Sequence, residues 1–192
     1  MRFWGRILLW GAGFVAAREA WLALGPRRWR RREAFAAAQA RARELGLPLL
    51  VLGAPRTGFV NVMMPDYGCG DLCVDLEGCS GCERSITGRA EDVLPFLPDA
   101  SAVVFVSCTL EYVDDVESVW RELRRIAGPE VYAVTVEPWT LTAWFFPGAQ
   151  RRVLAAPEAG STGSLRYAPL PWAREATAPR PALTGPKRRR LR

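Results

Sequence analysis

The chain has 192 residues, 49% of them hydrophobic, which is enough for one packed domain with tails and excludes wholesale disorder. Its net charge of +6 is unevenly placed: residues 1–33 hold eight arginines against Glu19 and Glu33, residues 174–192 hold six arginines and Lys187 against Glu175, and the stretch between holds 11 basic and 17 acidic residues. An acidic middle argues against a nucleic-acid-binding core and basic ends suit docking on an anionic membrane, while the absence of histidine excludes histidine triads, bases and metal ligands.

Residues 3–24, FWGRILLWGAGFVAAREAWLAL, are long enough to cross a bilayer. Arg6, Arg18 and Glu19 interrupt the run, and Trp4, Trp10 and Trp21 suit the interfacial zone. The basic run RRWRRR at 27–32 follows, and by the positive-inside rule it keeps the next domain on the cytoplasmic side. A cleaved signal peptide is disfavoured by the short leading region and by Ala16-Ala17-Arg18 at the cleavage position. The segment is therefore expected to contact a membrane through residues 3–32, spanning it or lying in its interface. The plainer alternative is an amphipathic helix packed on the protein itself.

Residues 34–45 are alanine-rich helix formers, ended by Gly46 and Pro48. Leu49-Leu50-Val51-Leu52 is an unbroken apolar run ending at Gly53, the pattern of a central parallel strand buried on both faces. Further strands are predicted at 72–76, 84–88, 102–108 and 131–136. Between the last two, Val116, Val119, Trp120, Leu123, Ile126 and Ala127 form one apolar stripe at helical spacing. Asp114 and Glu117 resemble a capping box at its start, and Gly128-Pro129 stop it. Strand, amphipathic helix and apolar strand make a right-handed βαβ crossover. The fold class is therefore α/β: a Rossmann-like, mostly parallel sheet of about five strands with flanking helices, with little after Pro147 to supply a sixth and seventh. The boundaries are an N-terminal helix with its basic run at 1–32, the α/β domain at 33–156, and an irregular basic tail at 157–192, disordered from 177 onward.

One set of segments resembles the second half of the class I S-adenosylmethionine (SAM)-dependent methyltransferases that act on small molecules. In order these are Gly88-Arg89-Ala90-Glu91-Asp92, Leu94-Pro95-Phe96, the strand Ala102-Val103-Val104-Phe105-Val106, the stretch from Ser107 to Tyr112 containing Leu110-Glu111, and Arg121-Glu122-Leu123-Arg124-Arg125. The resemblance implies that SAM binds beyond the carboxyl ends of the strands, beside the first one. It places Gly53 in the first turn and Asp75 on the ribose hydroxyls, with Leu76 next to it. Arg89, Ala90 and Glu91 would flank adenine, and Ser107 would face the methionine part or the acceptor. No catalytic side chain is assigned, because methyl transfer chiefly needs donor and acceptor in line. The acceptor implied is a small molecule, lipid or glycan precursor at the membrane. The alternative is a catalytically inactive binding or scaffold protein of the same fold.

The chain departs from the family's pattern in places. Pro55 stands where the family has its second glycine, and its ring would face the approaching cofactor. A first helix is weak, covering 57–64 at most. Arg89 replaces an aspartate, and Tyr112 replaces a histidine.

The odd count of five cysteines predicts reduced thiols and a cytosolic setting rather than a disulfide scaffold. Cys69, Cys73, Cys79 and Cys82 raise zinc as one reading. Strand geometry opposes it, since an extended run from Cys73 to Cys79 spans about 20 Å unless the chain folds back tightly after Leu76. A buried Cys73 with three loop thiols is the expectation, with no metal. Trp139, Trp144, Phe145 and Phe146 could wall an acceptor pocket, dip into a bilayer or pack in the core. Glu137 is a candidate polar group in the cleft, and Glu111 a brace for its loop. The tail Lys187-Arg188-Arg189-Arg190-Leu191-Arg192 has the charge to bind acidic lipid or nucleic acid, or to remain solvated.

Overall fold

The run at 49–52 is buried at every position, as an apolar segment covered on both faces must be. In the computed structural model, which describes residues 2–55, 66–145, 148–158, 160–161 and 163–171 with side chains from Trp10 onward, it is β1 (Leu49–Leu52) at the centre of a sheet. Around it lie β2 (Leu72–Asp75), β3 (Ser85–Thr87), β4 (Val103–Ser107) and β5 (Val131–Val134), in the order β3-β2-β1-β4-β5. Every neighbouring pair is parallel, with Val51 beside both Cys73 and Phe105. This is the expected α/β architecture, Rossmann-like, with the order reversing between β1 and β4.

The two-residue alternation of the strands divides the core in two. Leu50, Leu52, Val74, Val104 and Val106 face one side, where the α4 helix (Val116–Ala127) lays its stripe of six buried residues. Leu49, Val51, Cys73, Val103 and Phe105 face the other, against Ala38 and Ala42 of α2 (Pro26–Leu45). The short α3 (Ala90–Val93) and a 3₁₀ turn (Leu94–Phe96) precede β4. The cap of α4 is Asp115, whose side chain accepts from the Ser118 N–H at 3.0 Å, one residue beyond the expected Asp114. Asp114 instead pairs with Arg89 at 2.5 Å.

α2 begins eight positions ahead of the expected start, at Pro26, so the basic run forms its first two turns. Proline at a first helical position loses no hydrogen bond, and arginine is a good helix former. Gly46 ends it in the left-handed conformation, and the N–H of Leu47 closes on the Ala42 carbonyl at 3.0 Å. Ahead of α2 lies α1 (Arg2–Leu24), with Gly25 between them.

After β5 come the one-and-a-half-turn α5 (Leu141–Phe145) and an antiparallel pair, β6 (Arg151–Ala155) and β7 (Arg166–Pro169), forming a separate two-stranded sheet. The parallel sheet thus ends at β5, as expected, but β7 lies inside the stretch read as irregular from 157. Val153 joins the α4-side core, with Leu165 and Tyr167 packed against it, which gives this hairpin its apolar anchor. The tail from 172, including its basic end, lies outside the described residues.

The cysteine expectation is corrected. Cys69 pairs with Cys82 and Cys73 with Cys79 in two disulfides, with Cα–Cα separations of 5.4 and 6.1 Å. The extended-strand estimate fails because β2 stops at Asp75 and the chain turns back at Gly78 (φ 84°) and Gly81 (φ 76°), conformations that favour glycine. Cys108 is the free thiol.

Candidate functional site at the carboxyl edge of the sheet

Parallel strands bring their carboxyl ends to one edge, and here that edge gathers Gly53, Asp75, Leu76 and Ser107 around the switch point between β1 and β4. Gly53 has φ 103°, and a Cβ there would sit 2.6 Å from the Thr109 hydroxyl and 2.7 Å from the Ser107 carbonyl. Glycine is therefore required for close packing of the β1 turn on the end of β4. Pro55, in the same turn, is buried.

Asp75 ends β2 half-buried. Its carboxylate accepts from the Ala54 N–H at 2.9 Å and from the Glu77 N–H at 2.9 Å, one donor on each oxygen. It thus ties the turn after β1 to the turn after β2, and each oxygen keeps a second lone pair. Leu76 beside it is 64% exposed, an apolar surface next to a carboxylate.

Sequence reasoning missed Tyr67. Its hydroxyl donates toward the carbonyls of Ala54 (3.0 Å) and Gly53 (3.3 Å), bracing the same turn. Its ring lies against Phe105 and Phe35, with centroids 5.0 and 6.0 Å away. Burial pushes its phenol up to about 12, so it stays a donor. A lone tyrosine in PDYGCGD has no periodic signal, and only the proximity of its loop to β1 reveals it.

The residues expected to flank adenine follow β3. Ala90 is buried. Glu91 accepts from the Asp114 N–H at 2.6 Å, and Arg89 bridges to Asp114. These contacts tie the end of β3 to the loop after β4. Ser107 is buried, and its carbonyl accepts from the Thr109 hydroxyl at 3.0 Å.

The rest of the edge is filled by ion pairs from the basic run. α2 runs back against β1, so its start lies over the carboxyl ends. Arg27 donates through Nε and Nη2 to Glu137 at 2.9 and 2.6 Å, and Arg30 reaches the other oxygen of that carboxylate. Arg28 and Arg31 take Asp66 at 2.5 and 3.0 Å. Arg27, Arg28, Asp66 and Glu137 are all buried. Four guanidinium groups thus meet two carboxylates, with Arg27 and Arg28 buried and Arg30 reaching in from the surface. Of the basic run, Arg27 and Arg28 turn inward, while Trp29, Arg30 and Arg32 are exposed. Glu111 is buried next to this group, braces β5 by accepting from the Val136 N–H at 2.7 Å, and leaves Oε2 without a hydrogen bond. Burial raises its carboxyl above the ordinary range.

α1 closes over this end. Glu19 accepts from the N–H of Leu141 and Thr142 and from the Thr142 hydroxyl at 2.9 Å, satisfying the start of α5. Burial opposes its ionisation, but these donors outweigh it and hold the carboxyl below its ordinary value. The aromatic cluster is not core: Trp139 lies under Arg18 at 4.7 Å, Trp144 under Arg152 at 3.7 Å, and Phe145 is exposed. Phe146 lies outside the described residues.

Two clefts, of about 430 and 410 Å³, open elsewhere. One lies between α2 and residues 68–71, the other between α4 and the hairpin, and neither is lined by Gly53, Asp75 or Ser107. Residues 56–65, which carry the rest of the first turn and the expected helix over 57–64, lie outside the described residues. No protein-family model, curated protein or solved structure matches the chain.

Proposed function

We propose that the carboxyl edge binds S-adenosylmethionine and that the protein is a methyltransferase-like enzyme acting on a small molecule, lipid or glycan precursor at a membrane surface. The observation that supports this reading is Asp75 with Leu76: a carboxylate with spare lone pairs at a strand tip, followed by an exposed apolar side chain, beside the switch point. A ribose diol donates to such a carboxylate, and an adenine face covers such a leucine. The cofactor would supply the electrophilic methyl group. The chain's own part is to orient it, through Asp75 and the turn held by Tyr67, and to present the acceptor in line. Calorimetry of the full-length protein with SAM and S-adenosylhomocysteine tests it. Both should bind, and Asp75→Asn, which keeps an acceptor for Ala54, should weaken them at least about tenfold. Absence of binding to the wild type would remove this reading.

A second reading, a binding or scaffold protein of the same fold without catalysis, draws on a separate observation. Both Asp75 oxygens already take backbone donors, and arginine–carboxylate pairs fill the neighbouring edge. The same titration separates the two.

Membrane contact belongs to both readings. No helix among the described residues is long and apolar enough to cross a membrane. Trp10, Phe14, Trp21 and Leu24 are all exposed and fall on one stripe of α1 at helical spacing, which supports the interfacial form. Sedimentation with anionic vesicles should retain the protein. Trp10→Ser with Phe14→Ser and Trp21→Ser should release it, and undiminished retention would count against α1 as the contact.

A further inference from the structure

The connection 76–84 joins β2 to the parallel β3 without a helix. Parallel neighbours ordinarily need a crossover of about a dozen residues or more, usually with a helix that brings its own apolar face. Here only Cys79 of the loop is buried. What gathers at the loop instead is sulfur. The Sγ atoms of Cys73, Cys79 and Cys82 all lie within 4.8 Å of one another, and Cys69 Sγ is bonded to that of Cys82.

The arrangement is two and two. Cys79-Ser80-Gly81-Cys82 forms a turn in which the Cys82 N–H donates to the Cys79 carbonyl at 3.1 Å. The two sulfurs of this turn do not join each other. Each meets a cysteine from the strand side, Cys73 within β2 or Cys69 just before it. With Zn–S bonds of about 2.3 Å, sulfurs on a tetrahedral zinc stand about 3.8 Å apart. Cys73, Cys79 and Cys82 form the group already gathered near that spacing, and Cys69, outside the group but bonded to Cys82, has to swing in as the fourth ligand. With no histidine in the chain, thiolates are the soft ligands it has to offer. Cys73 and Cys79 are buried, which gives the site a dry inner half.

We propose that Cys69, Cys73, Cys79 and Cys82, when reduced, bind one Zn²⁺ as a four-thiolate site that replaces the two disulfides. A dithiol reductant supplies two electrons and two protons to each S–S bond and leaves as its own disulfide. Zn²⁺ then takes the four sulfurs and displaces four protons. Either form closes the loop whose Glu77 N–H holds Asp75, and only the reduced, metal-free form releases that closure.

The test uses the full-length protein reduced with excess dithiol, desalted without oxygen and titrated with Zn²⁺ or Co²⁺. One metal per chain is expected, released by thiol alkylation, with the Co²⁺ form showing the intense visible absorption of a tetrahedral thiolate complex. Cys79→Ser combined with Cys82→Ser should lower the bound metal at least about tenfold. Reduced wild type that takes up no metal overturns the proposal whether or not its metal-free form is folded, since binding would itself drive closure. So does uptake that the double variant leaves unchanged, or a Co²⁺ spectrum of oxygen ligands only.

Discussion

Between β4 and β5 the chain inserts α4, whose six buried side chains cover one face of the sheet; between β2 and β3 it inserts a helix-free loop with one buried residue, tied by two disulfides. Both connections are parallel crossovers. The first is held by apolar area, a sum of many contacts insensitive to redox state and metal. The second is too short to bury much, so it depends on covalent closure, which removes freedom from the unfolded chain. The contrast explains why the two loops carry different chemistry. A region held by packing tolerates a change of solution conditions, and one held by sulfur responds to it.

The contrast can be broken first where it rests on packing. Leu123→Ala, fully buried in α4, should cost about 3 kcal/mol in urea unfolding, equally with and without reductant. Cys69→Ser with Cys82→Ser should cost about 2 kcal/mol under oxidising conditions and almost nothing against reduced, metal-free wild type. A loss that persists in reductant would show that the loop is held by packing after all. Glu111 sharpens the comparison through pH. It lies at the start of the α4 crossover and ties it to the residues just after β5, with Arg27 of α2 and Arg151 of β6 as cations that act on it. Its folded pKa is raised, so the folded state holds the proton more tightly than the unfolded one. Its contribution is fully present below about 4.5 and lost as pH rises through the elevated value, with a slope of at most about 1.4 kcal/mol per pH unit. Glu111→Gln should flatten that slope in urea midpoints measured from pH 4.5 to neutrality. An identical slope in the variant would assign it to other groups. Asp115→Ala, removing the α4 cap, should cost about 1 kcal/mol, and Asp114→Ala less, since the cap lies at 115.

Much of the fold was legible because it is written in local periods. The run at 49–52, the stripe from Val116 to Ala127 and the Gly46 stop each follow from a few neighbouring residues, and each lies where it was read. The positions of Gly53, Asp75 and Ser107 at one edge follow as well, since parallel strands collect their ends. The partners of these residues were not legible. Tyr67 and Asp66 act across the fold, and nothing in their own neighbourhoods marks them; Glu137 was marked by its place after the fifth strand, but its arginine partners were not. The pairing of Arg27, Arg28, Arg30 and Arg31 with Glu137 and Asp66 was not legible either, because a sequence counts charge but does not say which way a helix turns it.

By itself, the sequence determined that this chain forms a parallel α/β sheet, because hydrophobic alternation and helical stripes are properties of short segments. Only the tertiary structure decided that four cysteines meet, that the basic run pairs inward with Asp66 and Glu137, and that Asp75 is held between two turns. Those are contacts between residues far apart in the chain or across reversals of its direction. They depend on where the backbone turns back, which the glycine turns and the stacking of α2 on the sheet settle together.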